Sequence, residues 1–97
     1  MKVVVRSLGV VYACRGCAAH GNTAQEVALL LEARGLCETG THIAKARERY
    51  PVVAIDGCAD GCVRRWLAEN DIEPHRHYVV TGRDARRCCE AIVADLQ

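Results

Sequence analysis

The chain is expected to form a three-layer, Rossmann-like α/β domain around a mostly parallel four-stranded sheet in the order 2-1-3-4, and three observations predict it. Short strand-like runs, most of them Val-rich, alternate four times with segments whose apolar residues recur at helical spacing. The run Val52-Val53-Ala54-Ile55 is uninterrupted in apolar side chains, as suits a central strand covered on both faces. Two of the runs end in paired cysteines, Cys14-Arg15-Gly16-Cys17 and Cys58-Ala59-Asp60-Gly61-Cys62. Right-handed crossovers in a doubly wound order place the first and third strands side by side, so both cysteine loops arrive at neighbouring carboxyl ends.

A length of 97 residues bounds the chain to a single domain, residues 1–97. Hydrophobic residues make up 51% of it with no Phe, one Trp and three Tyr, so the layers must close on small side chains. The 13 basic and 12 acidic residues nearly cancel, which removes the usual electrostatic source of nucleic-acid affinity. No apolar run approaches 18 residues and no leader pattern precedes the first strand, so the expectation is a cytoplasmic protein with no membrane partner. Seven cysteines are too many for ordinary packing, and their odd number without a secretion signal disfavours a disulfide framework. Metal ligation or redox chemistry remains.

Taken in order, residues 2–5 form either an edge strand or the first half of one bulged at Gly9, and residues 10–13 are the strand that delivers Cys14. Residues 14–23 are a loop, ending in a capping box with Asn22 or Thr23 as the cap and Glu26 as its partner. The helix over 24–33 carries Val27, Leu30 and Leu31 and stops at Gly35. A short strand over 36–39 ends near Cys37, and a short basic helix over 43–49 stops before Pro51. The central strand runs over 51–56. The next helix begins between 59 and 62 and runs to about 70, with Val63, Trp66 and Leu67 on one stripe and Trp66 expected in the core. A strand over 75–81 and a helix over 84–96 complete the chain, the latter with Cys88, Ile92, Val93 and Leu96 on one face.

The paired thiols carry the functional expectation. Zinc takes four soft ligands in a tetrahedron with sulfurs about 2.3 Å away. Cys14, Cys17, Cys58 and Cys62 supply four sulfurs if their strands are neighbours, and Gly57 and Gly61 permit the tight loop that the second pair needs. Cys37, at the end of the intervening strand, is a competing ligand or a resolving thiol. Cys88 and Cys89 are adjacent in a helix and diverge, so they are read as packing. His20 is a spare ligand, a base for Cys14 or Cys17, or a solvated loop residue. His75 and His77 lie away from the cluster and are left out. Asp56 either accepts from backbone amides or supports the ligands, and Asp60 caps the following helix.

The same geometry serves a different chemistry. A thiol where a strand meets a helix is a nucleophile, so a thiol oxidoreductase or thiol-dependent transferase is the alternative, with Cys14 or Cys17 attacking and Cys58 resolving. The loop over 14–23 loosely resembles an anion-cradling phosphatase loop, but Ala19-His20-Gly21 stands where that chemistry wants Arg. An iron–sulfur cluster is a third use of the same ligands.

The motifs together resemble those of the DGC-domain family of prokaryotes, over nearly the whole chain. The residues that carry the resemblance are Cys14-Arg15-Gly16-Cys17, Gly21-Asn22-Thr23-Ala24-Gln25, Cys37, and Ile55-Asp56-Gly57-Cys58-Ala59-Asp60-Gly61-Cys62 followed by Val63-Arg64-Arg65-Trp66-Leu67. The resemblance implies a cysteine-bound Zn(2+) and names no substrate. The chain departs from the family at Ala18-Ala19-His20, which adds a potential ligand. The expected function is zinc binding at the strand ends, with metal carriage or sensing as the role and a protein partner of unknown kind.

Overall fold

The structure is a computed structural model and describes residues 9–14, 21–57 and 61–96. Strand and helix alternate throughout: β1 (Gly9–Ala13), α1 (Gly21–Ala33), β2 (Cys37–Thr39), α2 (Ala44–Glu48), β3 (Val52–Asp56), α3 (Cys62–Glu69), β4 (Arg76–Val79) and α4 (Ala85–Leu96). The sheet order is β2-β1-β3-β4 with all three pairings parallel, the doubly wound order that the alternation predicts. Every residue of β3 is buried, which is why its sequence is an unbroken apolar run closed by one carboxylate. β4 is an edge strand and its residues are exposed or half-buried.

Side-chain parity assigns the two outer layers. Tyr12, Ala54 and His77 stand in register across β1, β3 and β4, and so share one face of the sheet. On that face Tyr12 donates to the His42 carbonyl at 2.6 Å, just before α2, and its ring meets Trp66 of α3 edge-on at 5.4 Å. Arg47 of α2 donates to the Asn70 carbonyl beyond α3 at 3.2 Å. On the opposite face Tyr78 donates to Asp95 of α4 at 2.5 Å, and an Arg34–Glu90 ion pair joins the end of α1 to α4. Ala24, Val27, Ala28 and Leu31 are the buried stripe of α1, while Val63 and Leu67 anchor α3. Full burial of a Leu such as Leu67 contributes about 1.5–3 kcal/mol.

Several local expectations are corrected. α1 starts at Gly21, so Thr23 lies within its first turn and not at its cap. The buried Thr23 hydroxyl instead donates to the Gly82 carbonyl at 3.0 Å, tying α1 to the loop before α4. Gly35 does end the helix, with φ of 72° and the Leu36 amide returning to the Leu31 carbonyl at 3.1 Å. Trp66 is not core: the residue is 37% exposed, and its ring meets Tyr12 edge-on. The buried stripe of α4 is Ala85, Cys89 and Ile92, so Cys89 and not Cys88 takes the inward position. Asp84 caps α4 through the Arg87 amide at 3.0 Å. The strand expected at residues 2–5 and the cap expected at Asp60 lie outside the described residues.

Candidate functional site

The carboxyl ends of β1 and β3 are adjacent, and the chain leaves each strand directly into a cysteine-bearing segment. The Cys14 amide donates to the Ile55 carbonyl at 2.9 Å, which extends the β1–β3 ladder one residue past the end of β1. Gln25 of α1 reaches the Cys14 carbonyl at 3.4 Å. Cys14 is thereby fixed against the sheet and 1% exposed. Cys62 is the first residue of α3 and half-buried. Both thiol residues line one cavity of about 250 Å³, walled by Tyr12, Ala13, Gly40, Thr41, Val63 and Trp66. A Cβ on Gly40 would stand 2.7 Å from the Tyr12 ring and 2.6 Å from Val10, so only glycine lets the chain after β2 close over that wall.

Asp56 organises the other side of the site. It is fully buried at the end of β3. Its Oδ1 accepts from the Val63 amide at 2.7 Å and its Oδ2 from the Arg64 amide at 3.4 Å, so it caps α3 from outside the helix. The need for such a cap is visible in the helix itself. The N-cap residue is Gly61, held at φ 66° and ψ 50° with no side chain to offer, and the preceding strand supplies the carboxylate in its place. Asp56 thus acts on the backbone, one of the two roles open to it from sequence, but on amides of the helix and not of the loop.

The third partner of Asp56 is His77, whose Nε2 lies 2.7 Å from Oδ2. The sequence leaves His77 out because it sits at the amino end of its strand, away from the thiols. Its register opposite Ala54, two residues before Asp56 on the same face, is the signal that would have found it. His75 has a different role: its Nδ1 accepts the Val52 amide at 3.0 Å at the entry of β3.

Cys37 is placed differently from expectation. It opens β2 in register with Gly9, at the amino end of the sheet, and does not end the strand beside the thiols. Five residue steps along β1 separate Gly9 from Cys14, roughly 16 Å at the strand rise. Burial pushes the Cys37 thiol up from its ordinary range, as it does for Cys89. Both behave as small apolar core side chains. Cys17, Cys58 and His20 lie outside the described residues. Among the described residues, no three His, Cys, Asp or Glu side chains are grouped to hold a metal ion. No helix among them is long and apolar enough to cross a membrane.

Residues 10–93 match the family model described as the DGC domain. The chain is also 31% identical over 90 residues to the Anaerobic and virulence modulator AnvM of Pseudomonas aeruginosa, an alignment that covers 82% of this chain and 69% of that protein. No solved structure matches the chain. The matched region runs from β1 to α4 and contains the cavity, both of its thiols, and the Asp56–His77 pair that braces it. The chain belongs to the DGC-domain family.

Proposed function

We propose that the protein binds a zinc ion through thiolates at the carboxyl ends of β1 and β3, and that the metal serves sensing or carriage. The observation that carries this is the meeting of Cys14 and Cys62 at one cavity, from two neighbouring strand ends. Their chemistry fits half of the soft donor set that zinc takes. Cys17 and Cys58, three and four residues away in sequence, are the proposed remaining ligands. A site of four thiolates leaves no open coordination position for a substrate, which favours a non-catalytic role.

The buried apolar residues of β1, β2, β3 and the four helices form one core cluster, so the fold has its own source of stability. A metal at its edge is then free to leave without unfolding the domain. The relative's description as a modulator supports a regulatory role by similarity. The oxidoreductase alternative relies on helix amides to favour a thiolate, and those of Val63 and Arg64 are already bonded to Asp56.

Elemental analysis of the purified chain, with thiols titrated before and after chelation, tests the proposal. One zinc per chain that masks four thiols is the expected result. Metal-free protein with a reversible internal disulfide overturns it in favour of redox chemistry, and colour on anaerobic purification does so in favour of an iron–sulfur cluster. The sensing or carriage role fails separately if chelation unfolds the domain and zinc restores it.

A further inference from the structure

We infer that the outer face of α1 and α4 is a self-association surface, on which a second copy of this chain docks about a two-fold axis to form a weak dimer. This face covers the side of the sheet opposite α3, so the inference stands apart from the metal proposal.

The sequence of α1 points outward as well as inward. Val27-Ala28-Leu29-Leu30-Leu31 is an unbroken apolar run longer than one helical turn of about 3.6 residues, so part of it must turn away from the core. That part is Leu29, which is 58% exposed and is the one large aliphatic side chain exposed on a helix among the described residues. Exposure of a single leucine is ordinary. The surroundings of this one are not.

Helices α1 and α4 run side by side in the same direction. Thr23 in the first turn of α1 donates to the Gly82 carbonyl just before α4, and Arg34 just after α1 pairs with Glu90 midway along α4. Between the two helices is a groove of about 350 Å³ lined by Glu26, Leu29, Leu30 and Arg86. Glu26 belongs to the α1 wall and Arg86 to the α4 wall, so the groove has a negative and a positive side. Neither side chain forms an ion pair among the described residues, whereas Arg34, Lys45, Arg49 and Arg76 each have one.

Such a groove is complementary to itself. A two-fold axis lying in the plane of contact and running along the groove sets α1 of each copy over α4 of the other. Glu26 then faces Arg86 of the second copy, the reverse pair forms by symmetry, and the two Leu29 side chains pack beside each other across the axis. A partner of a single charge would satisfy one wall and be repelled by the other, and an apolar one would bury both charges unpaired. Two helices ~20 Å long and ~10 Å wide make a face of roughly 400 Å² per copy. That is about half of a standard interface at ~800 Å² per partner, so the dimer is reversible with a Kd on the order of 10 μM.

Sedimentation velocity of the full chain, from about tenfold below that value to about thirtyfold above it, tests the inference. The expected result is a shift from monomer to dimer across the range, unchanged by a chelator. Leu29→Asp, Glu26→Arg and Arg86→Glu are each expected to weaken the dimer by about tenfold or more. All three positions are exposed, so the variants keep the fold, and circular dichroism checks that. The Glu26→Arg chain has two positive walls and the Arg86→Glu chain two negative ones, so each repels itself. Mixed in equal amounts, the two are expected to pair with each other and to recover the wild-type affinity within about threefold. A wild-type chain that stays monomeric throughout overturns the inference. A dimer that persists in Leu29→Asp and Glu26→Arg uses another face and overturns it too, as does one that dissociates on chelation. Failure of the mixed variants to pair removes the register of Glu26 against Arg86, and the inference with it.

Discussion

His77 of the edge strand and Asp56 of the central strand meet at 2.7 Å, on the same carboxylate that caps the helix carrying Cys62. The link runs from an outer strand, through a buried charge, to the start of the thiol-bearing helix. Removing the carboxylate should therefore cost more than an ordinary cap. Asp56→Ala is expected to destabilise by about 3 kcal/mol, the sum of a lost cap and lost charge-assisted hydrogen bonds. His77→Phe should cost about 1–2 kcal/mol, with His77→Gln recovering part of it through its own amide donor. Urea unfolding of the three variants checks the ranking. Equal losses for Asp56→Ala and His77→Phe would contradict it.

Gly61 is the second point at which α3 depends on an unusual residue. A Cβ there meets nothing closer than 3.7 Å, so space is not the obstacle. The backbone is, because φ is 66°. Gly61→Ala should cost about 1–2 kcal/mol with no change in the packing of Val63 or Leu67. Thermal unfolding together with near-ultraviolet circular dichroism separates that outcome from a repacked helix.

Cys37 should behave as a core side chain. Cys37→Ala is expected to leave metal content unchanged and to cost about 1 kcal/mol. Its thiol should resist labelling until the chain unfolds. Burial raises the folded thiol above its unfolded value, so this contribution is complete below the unfolded value and is lost as pH rises through the folded one. Stability measured on the alkaline side should therefore fall less steeply for Cys37→Ala than for the wild type.

Acid dependence should concentrate at the α1–β2 junction. Glu32 accepts from both the amide and the hydroxyl of Thr39 at 2.9 Å, and these bonds hold its carboxyl below the ordinary glutamate range. A depressed value means that the stabilisation is full above the unfolded value and disappears as pH falls through the folded one. Glu38, bonded to Lys45 at 2.7 Å, adds in the same direction. The stability gap between wild type and Glu32→Gln should narrow as the pH is lowered. A gap that stays constant from neutral to acid pH would exclude Glu32 as the source.

Sequence made the sheet legible because its strongest signals are local. Residues 52–55 can be little other than a covered strand, and the alternation around them leaves few topologies once crossovers are right-handed. The meeting of Cys14 and Cys62 followed from that order. What escaped was set by relationships across the sheet. Whether Cys37 opens or closes a three-residue strand depends on where the Gly35 turn releases the chain, and a slip of two residues moves the thiol from one end of the sheet toward the other. His77 is invisible as a partner of Asp56 until β4 is aligned with β3. Trp66 shares the helical stripe of Val63 and Leu67, yet it lies edge-on to Tyr12 and stays 37% exposed, so periodicity alone assigned it to the core.

Among the described residues, the hydrogen bond from the Cys14 amide to the Ile55 carbonyl is the last rung between the two strands that carry the thiol segments. A rung at the end of a ladder ordinarily frays first. Whatever ties the two segments together beyond it, an ion or a covalent adduct spanning them, would act as a staple across that frontier. The exchange rate of one backbone proton, at Cys14, then becomes a local gauge of whether the staple is in place, readable without any probe attached to sulfur.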